Sequence, residues 1–342
     1  MEKLAARLRA RIEAAAESGA FNGVIGVYAA GSPVLEMACG MRDFEAGLPM
    51  TVDSTFDLAS ITKQFTCSAI MLLEHRGLLK VSDPLEKYIP GIPYDVTLEM
   101  LMNHTGGLPD EDWCIQFLSD RSRPIDNETL IRLLREQPAQ PLFAPGAGWV
   151  YSNIAYELLA PVVEIVSGRN FEEFLLNEFF KPAGMTRTRV HHRYMNLPEP
   201  HMATASYCVE DGALVRPENS SQREFVVPLE GVNGAGLVYT CVGDMNLWDR
   251  ALRAGEILPK SVQQRMLQGV PTTREGENYG YGWFITQDGQ WIHHSGGWPG
   301  YINQYYRHAE RELCMVMLTN LQRDRDALDA LKNDVVAILG AS

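Results

Sequence analysis

The segment FDLASITKQFTCSAIMLLEH, residues 56–75, predicts a helix that is buried on nearly all sides and yet contains a cation. From Ile61 to about Glu74 the chain is apolar on nearly every face, which is typical of a helix packed inside a protein. Lys63 is followed by no second charge until Glu74. Burying an isolated cation such as Lys63 is costly, so a functional role is expected for it. Ser60, three positions earlier, suggests that role.

Ser60-Ile61-Thr62-Lys63 is the only Ser-x-x-Lys sequence in the chain. Positions i and i+3 share one face of a helix. A serine hydroxyl becomes a strong nucleophile when a base takes its proton, and a lysine acts as that base when desolvation or neighbouring charge lowers its pKa. The alternative is a helix-capping serine with a lysine that reaches the surface, and an isolated match would favour that alternative. The remaining motifs therefore decide between the two.

The composition is that of a globular protein. The chain has 342 residues, of which 46% are hydrophobic and 21% are charged, so it can build two cores or one large domain. Its formal net charge of -13 argues against a nucleic-acid partner, because phosphate binding requires clustered Lys and Arg. The N-terminal segment MEKLAARLRARIEAAAESGAF carries charges throughout, unlike a signal peptide, and no stretch approaches the roughly 20 apolar residues of a membrane span. We therefore expect a cytoplasmic protein without a membrane partner, unless a leader has been removed, and its oligomeric state stays open.

The cysteines and histidines do not predict a metal site. The six cysteines lie far apart, without a Cys-x-x-Cys pair, and indicate reduced core residues in place of a zinc or disulfide framework. His191-His192 and His293-His294 are adjacent pairs, whose members would point to opposite faces of a strand, and His-Glu-x-x-His is missing. We expect no metal and no other cofactor.

Strand patterns occur near both ends of the chain, with helical patterns between them. GVIGVYAA and SPVLEMACG predict an antiparallel hairpin joined at Gly31-Ser32, aromatic-rich segments of the C-terminal half predict further antiparallel strands, and Asp326 to Leu339 predicts a last helix. Helical spacing with Gly or Pro stops dominates the middle of the chain. We therefore predict an α/β domain with a central antiparallel sheet from residues 1–79 and 196–342, a mostly helical domain from residues 80–195, and a cleft between them.

Five further motifs follow the helix of Lys63 in order. They are LLKVSDPLEKYIPG (78–91), LMNHTGGLPD (101–110), FAPGAGWVYSNIAYELL (143–159), GAGLVYTCVGDM (234–245) and HHSGGWPGY (293–301). With FDLASITKQFT, this set resembles the serine β-lactamase and penicillin-binding-protein superfamily, and within it the class C β-lactamase-like esterases and D-peptidases. The resemblance covers roughly Gly23 to Asn320. It implies a two-domain α+β fold, in which an antiparallel sheet flanked by the N- and C-terminal helices joins an all-α domain and the active site lies in the cleft between them.

Tyr151-Ser152-Asn153 lies about ninety residues after Ser60, behind a Pro-Gly turn and ahead of a helix, as the family's Tyr-x-Asn does. The resemblance implies that Tyr151 relays the proton of Ser60 and that Asn153 hydrogen-bonds a substrate carbonyl or amide. A phenol suits this role only beside a cation such as Lys63. Capping of the following helix by Ser152 or Asn153 is an open alternative.

The family's third motif, Lys-Thr-Gly or His-Thr-Gly on a strand, has two candidates in the chain. His294-Ser295-Gly296 ends the predicted strand QWIHH, whereas His104-Thr105-Gly106 follows a helix and opens a turn. We therefore place the motif at His294 and predict a structural role for His104. The resemblance further implies an oxyanion hole made by two backbone N–H groups, catalytic assistance from a histidine, and three substrate contacts. The backbone N–H groups are those of Ser60 and Gly297, and the histidine is His294. The substrate contacts are Ser295, Gly296 and Trp298.

A histidine at position 294 changes the expected substrate. A lysine is permanently cationic and binds the carboxylate of a β-lactam, whereas a histidine is mostly neutral at pH 7. We therefore predict a carboxylesterase, a serine hydrolase that cleaves a small ester or amide through an acyl-enzyme on Ser60. The alternatives are an amidase or peptidase for D-amino-acid or D-peptide substrates, a weak β-lactamase, and a non-catalytic penicillin- or peptide-binding relative.

Two groups of side chains near these motifs have an ordinary explanation beside a functional one. The first consists of aromatic residues that form either the acyl pocket or part of the core, namely Trp113, Trp149, Trp298 and Tyr301. The second is the acidic segment PDEDW, residues 109–113. It can attract an amine-bearing substrate, but we expect a solvated loop.

Overall fold

The computed structural model describes residues 2–195 and 202–341. The strands are β1 (Gly23–Ala29), β2 (Ser32–Cys39), β3 (Met41–Asp43), β4 (Leu48–Pro49), β5 (Phe56–Asp57), β6 (Arg189–Val190), β7 (Tyr207–Glu210), β8 (Ala213–Val215), β9 (Val238–Thr240), β10 (Val270–Pro271), β11 (Glu277–Tyr279), β12 (Phe284–Thr286), β13 (Trp291–Trp298), β14 (Tyr301–His308), β15 (Leu313–Thr319) and β16 (Leu321–Gln322). Within the described residues, the main sheet has eight strands in the order β10-β11-β12-β13-β14-β15-β1-β2. All of its neighbouring strands are antiparallel.

The helices lie on both faces of this sheet and in the middle of the chain. They are α1 (Glu2–Glu17), α2 (Lys63–His75), α3 (Leu98–Met102), α4 (Glu111–Gln116), α5 (Asn127–Glu136), α6 (Asn153–Ser167), α7 (Phe171–Leu175), α8 (Lys181–Ala183), α9 (Arg223–Leu229), α10 (Val242–Ala254), α11 (Lys260–Met266) and α12 (Arg325–Gly340). Across residues 2–195 and 202–341, none of them combines the length and the apolar character that crossing a bilayer requires.

The N- and C-terminal helices cover one face of the main sheet. Leu8 and Ile12 of α1 and Leu331 and Val335 of α12 are buried in one cluster with residues of β1 and β15. Apolar residues at this spacing form one helix face, so α1 and α12 turn their apolar stripes toward the strands. The predicted last helix is confirmed, with one further residue at each end.

Helix α2 lies in the larger core, which is on the other face of the sheet. Its residues from Lys63 to Leu73 are all buried, and it packs against α6. The same cluster contains Val24 and Val316 of the sheet and Leu158 of α6. The prediction of a helix buried all round is confirmed, and this core runs from the sheet into the helical region without a break.

Several segments of the C-terminal half differ from the prediction. β7 and β8 form a small sheet with β16, which pairs with β7 in parallel, and β9 lies between β5 and β6 in another small sheet. These strands are only two to four residues long, so their side-chain alternation does not reveal which sheet they join. Helices α9, α10 and α11 were not predicted. The first hairpin turns at Ala30 and Gly31, both with positive φ, and Ser32 already belongs to β2.

The predicted α+β architecture is confirmed by the antiparallel sheet, its terminal helices and the helical middle of the chain. The boundaries of the two predicted domains stay a prediction. Strand β6 belongs to the segment that was predicted to be helical, yet it pairs with β9 of the other segment. The predicted boundary after residue 195 adjoins residues 196–201, which lie outside the described residues.

The cysteines are buried free thiols, as predicted. They are Cys39, Cys67, Cys114, Cys208, Cys241 and Cys314.

Candidate active site

Ser60 lies in a strained turn just before α2. The turn is a 3₁₀ segment, Ala59–Thr62, and the backbone of Ala59 has a φ of 48°, a conformation that residues with a side chain rarely adopt. The carboxylate of Asp57 stabilises it by accepting a hydrogen bond of 2.8 Å from the Ala59 N–H. Strain of this kind persists mainly at functional sites, where the surrounding structure enforces it. Ser60 itself is half-buried, so its hydroxyl is accessible.

Lys63 is completely buried and uses all three of its ammonium donors. Its Nζ lies 3.1 Å from Ser60 Oγ, 2.6 Å from Asn153 Oδ1 and 3.2 Å from the carbonyl oxygen of Ala235. The alternative in which this lysine reaches the surface is therefore wrong. The helical spacing of Ser60 and Lys63 places their side chains in direct contact.

Tyr151, Ser152 and Asn153 divide two roles between them. Ser152 caps α6, because its hydroxyl accepts a hydrogen bond of 3.2 Å from the Ala155 N–H. Asn153 contacts Lys63 through its carbonyl oxygen, and the Tyr151 ring centroid lies 4.9 Å from Lys63 Nζ. Capping and site formation therefore coexist in one triplet, and Ser152 provides the cap.

His294 is a buried, neutral histidine on β13. Its Nδ1 lies 2.6 Å from the carbonyl oxygen of Ser295 and its Nε2 lies 3.0 Å from the hydroxyl of Tyr279. A carbonyl only accepts hydrogen bonds, so Nδ1 carries the proton and Nε2 accepts from Tyr279. Burial, assisted by the charge of Lys63, lowers the pKa of His294 well below its usual range. This direction agrees with the expected neutral side chain at position 294.

Two adjacent glycines on β13 differ in what a side chain would meet. A Cβ at Gly296 would lie 2.0 Å from the carbonyl oxygen of Leu58, so only glycine lets this strand approach the turn before Ser60. A Cβ at Gly297 would meet no described atom within 4 Å. Gly297 borders open space beside Ser60, where a substrate oxygen can approach the backbone. The indole N–H of Trp298, the next residue, donates a hydrogen bond of 2.8 Å to Glu230.

Two cavities meet at Ser60. They share the residues Ser60, Gly297, Trp298 and Pro299. The first, here called the acidic cavity, has a volume of about 280 Å³ and is also lined by Asp110, Glu111, Asp112, Asn153 and Glu157. The second, here called the Tyr151 cavity, has a volume of about 350 Å³ and is also lined by Tyr151, Arg274, His294, Ser295 and Arg325. The structure thus brings the predicted site residues around Ser60, with Gly296 packed against the turn before it.

The acidic segment differs in part from the predicted solvated loop, because Asp112 is exposed whereas Glu111 is buried and lines the cavity beside Ser60. Glu111 is buried at the start of α4, and its Oε2 accepts a hydrogen bond of 3.0 Å from Asn153 Nδ2. Burial, followed by repulsion from Asp110, raises the pKa of Glu111 to about 7. Burial and the neighbouring Glu111 raise the pKa of Glu157 well above its usual range.

Glu157 was missed although the sequence carries a signal for it. It follows Asn153 by four residues, so both side chains lie on one face of α6. It is also the only charged residue between Ile154 and Val163, a stretch that is buried throughout. The argument that singled out Lys63 in α2 applies equally to Glu157 in α6. Glu111 has no comparable signal, because its neighbours in sequence are also acidic.

The aromatic residues near the motifs separate into two groups. Trp298 and Tyr301 line the Tyr151 cavity, whereas Trp113 packs against the core and Trp149 lies beside His104. His104 packs against Tyr151, and a structural role was predicted for it. Its ring centroid lies 4.3 Å from that of Tyr151, and its Nδ1 accepts a hydrogen bond of 3.2 Å from the backbone N–H that follows Tyr151.

The chain is similar to known proteins along almost its whole length. A family profile described as Beta-lactamase matches residues 8–337. The chain is 32% identical over 332 residues to penicillin-binding protein 4* of Bacillus subtilis strain 168, covering 95% of this chain and 73% of that protein. It is 26% identical over 317 residues to the D-aminopeptidase of Brucella anthropi, covering 88% of this chain and 56% of that protein. Its structure matches the penicillin-binding protein of Bacillus halodurans with a TM-score of 0.82 at 25% identity, covering 95% of this chain and 98% of that one.

Proposed function

Because the chain belongs to the β-lactamase family, has its two-domain α+β fold and is a serine hydrolase, we propose that it cleaves a carboxylic ester or amide through an acyl-enzyme on Ser60. The observation that carries this proposal is the hydrogen bond of 3.1 Å between Ser60 Oγ and Nζ of the buried Lys63. Burying an ammonium group without a carboxylate in direct contact is costly, and activation of a nucleophile explains why the chain retains it.

The acylation step uses Lys63 and Tyr151 together. Tyr151, assisted by the adjacent ammonium of Lys63, takes the proton of Ser60, whose Oγ attacks the substrate carbonyl carbon. The resulting oxyanion accepts hydrogen bonds from the backbone N–H groups of Ser60 and Gly297. Tyr151 then returns the proton to the leaving group as the bond between carbonyl carbon and leaving group breaks. The proximity of the phenol ring to Lys63, 4.9 Å from Nζ, supports this relay.

Deacylation reuses the same groups in reverse. Tyr151 takes a proton from an attacking water, and Ser60 recovers its proton when the acyl group leaves. His294 is a weak candidate for the base, because Tyr279 occupies its only free lone pair. Its role is to hold the wall of the Tyr151 cavity in place without adding a charge.

A neutral His294 also bears on the substrate. It offers no permanent charge to the carboxylate of a β-lactam, so we expect slow β-lactam turnover. Esters and amides that lack such a carboxylate are favoured as substrates instead. The D-aminopeptidase among the relatives supports a second candidate, an amidase or peptidase acting on D-amino-acid substrates.

The proposal is tested by replacing the nucleophile. Ser60→Ala should abolish hydrolysis of p-nitrophenyl butyrate and labelling by a fluorophosphonate, since the acyl-enzyme bond has lost its oxygen. Ser122→Ala, which changes an exposed serine, is the matched control and should behave like the unmodified chain. Mass spectrometry locates the label and circular dichroism checks the fold. Equal turnover by folded Ser60→Ala protein would remove Ser60 from the mechanism.

A further inference from the structure

We propose that Glu230 is a positioning residue for the acylation step. Through the indole of Trp298 it holds the end of β13, and with it the backbone N–H of Gly297 that is directed at the oxyanion. This inference rests on the proposed function, because an oxyanion hole matters only if Ser60 attacks a carbonyl group.

Glu230 makes its side-chain contacts through one oxygen. The residue lies directly after α9 and is completely buried. Its Oε1 accepts the hydrogen bond of 2.8 Å from the Trp298 indole and forms an ion pair of 3.1 Å with Nη2 of Arg193. Among the described residues, its second oxygen, Oε2, has no hydrogen-bond partner. One carboxylate oxygen therefore connects strand β13 with the segment that follows β6.

Stability alone does not explain a carboxylate at this position. Burying a charge costs free energy, and apolar residues can often replace a buried ion pair without loss of stability. The unpaired Oε2 adds to this cost, because an oxygen that has lost its water needs a donor. The indole of Trp298, in contrast, gains a strong acceptor, since hydrogen bonds to charged groups are shorter and stronger than neutral ones. The arrangement therefore serves the orientation of Trp298 more than the stability of the fold.

The backbone of Gly297 depends on its neighbours for its orientation. Gly297 has no side chain to pack, and a Cβ there would meet no described atom within 4 Å. On one side of it, Gly296 packs against the carbonyl oxygen of Leu58. On the other side, Trp298 is the last residue of β13. With Gly296 held on one flank, the hydrogen bond between Trp298 and Glu230 holds the other.

Arg193 contacts the same hairpin from the neighbouring strand. Trp298 and Tyr301 are paired residues of β13 and β14, and the guanidinium carbon of Arg193 lies 5.6 Å from the centroid of the Tyr301 ring. Arg193 also donates a hydrogen bond of 2.9 Å to Ser206 Oγ. The pair of Arg193 and Glu230 thus contacts both strands at the tip of this hairpin, next to the two cavities that Trp298 lines.

The first test separates an effect on catalysis from an effect on folding. Glu230→Leu should lower kcat for p-nitrophenyl butyrate about tenfold and change KM by less than about twofold, because a misdirected oxyanion donor affects the transition state more than the bound substrate. Glu230→Gln keeps an oxygen that accepts from the indole and should retain kcat within about threefold. Asp244→Leu on α10, where a buried carboxylate contacts Thr188 instead, is the matched control and should keep kcat. Circular dichroism checks the fold of each variant.

The second test asks whether Glu230 acts through the indole. Trp298→Phe removes the indole N–H and should lower kcat about as much as Glu230→Leu does. In the Trp298→Phe chain, adding Glu230→Leu should cost less than about a further twofold, because the contact is already lost. Phenylboronic acid, which forms a tetrahedral adduct with a serine hydroxyl, should inhibit each single variant about tenfold more weakly than the unmodified chain.

Trp298→Phe changes a half-buried residue, so this variant decides the question if Glu230→Leu fails to fold. Full kcat in folded Trp298→Phe protein would overturn the inference. An equal loss from Glu230→Leu with and without the indole would also overturn it. Absence of butyrate turnover and of any adduct on Ser60 in the unmodified chain would instead overturn the proposed function.

Discussion

The two cavities that meet at Ser60 have opposite electrostatic character. The acidic cavity combines Glu111 and Glu157 with an apolar wall, whereas the Tyr151 cavity contains a phenol, a neutral histidine and the guanidinium groups of Arg274 and Arg325. The nucleophile lies at the boundary between them. This difference makes the site electrostatically asymmetric, so a substrate with a charge at one end should bind in one preferred orientation.

After the loss of Ser60 itself, the largest effect is expected from removing the proton relay. Tyr151→Phe should lower kcat/KM for p-nitrophenyl butyrate by a factor on the order of hundreds, the usual scale for losing an acid–base group. The loss should be similar for substrates with and without an amine, because the relay acts on the Tyr151 cavity side. Tyr88→Phe, which removes a phenol hydroxyl hydrogen-bonded to Asp83, is the matched control. A loss below about tenfold would leave Lys63 as the sole base.

A smaller effect is expected from pH and concerns the acidic cavity. Glu111 faces Asp110, Glu157, Asn153 and Lys63, and its pKa is raised to about 7. Its carboxylate form is therefore scarce below pH 7 and gains as the pH rises. In the second candidate function, an amino-acid amidase, the substrate brings an ammonium group that this carboxylate would attract. The ratio of kcat/KM between free-amine and N-acetyl substrates should increase about fivefold from pH 6 to pH 7.

At alkaline pH, the same ratio of kcat/KM between free-amine and N-acetyl substrates should change for a different reason. Above about pH 8 the ratio should fall, because the α-amino group of the substrate loses its own proton. The N-acetyl substrate provides the reference, since it has no ammonium to bind. A ratio that stays constant between pH 5.5 and pH 9 would contradict an ionic contact in the acidic cavity.

The smallest effect is expected from the arginines of the Tyr151 cavity. Arg274 is exposed, lies 4.3 Å from the centroid of the Phe284 ring and makes a long ion pair of 3.9 Å with Glu277. Arg274→Ala should reduce turnover of a butyrate ester of 4-hydroxybenzoate by less than about fivefold, with little change for the ester of 4-hydroxybenzamide. Arg132→Ala on α5 is the control. A larger loss for the neutral ester would indicate a packing role, not a charge effect.

The same comparison separates what the sequence predicts from what it does not. Ser60 lies in the 3₁₀ turn that leads directly into α2, and Lys63 is the first residue of α2, so local geometry alone brings residues three positions apart into contact. Tyr151 and His294 could be placed only through the order of motifs, because their proximity to Ser60 depends on the fold. The family and its architecture followed from that order.

The acidic cavity was not predicted, for a physical reason. Glu111 and Glu157 are 46 positions apart in the chain, and their proximity arises where the start of α4 meets the N-terminal part of α6. Sequence shows an acidic run at residues 110–112 but not whether water or protein surrounds it. Glu157, a lone charge in an apolar helix, was the available indication of burial. Helix α10 was missed because its buried face includes the polar residues Asp244, Asn246 and Asp249, which interrupt the apolar spacing of an amphipathic helix.

The contacts of Lys63 have a consequence for how the chain matures. One ammonium joins three segments, since Asn153 is 90 residues and Ala235 is 172 residues away from it in sequence. The three meet only after most of the polypeptide has been synthesised and assembled. A nascent, truncated or misassembled chain would therefore hold an inert serine, and hydrolytic competence would appear only at the end of folding.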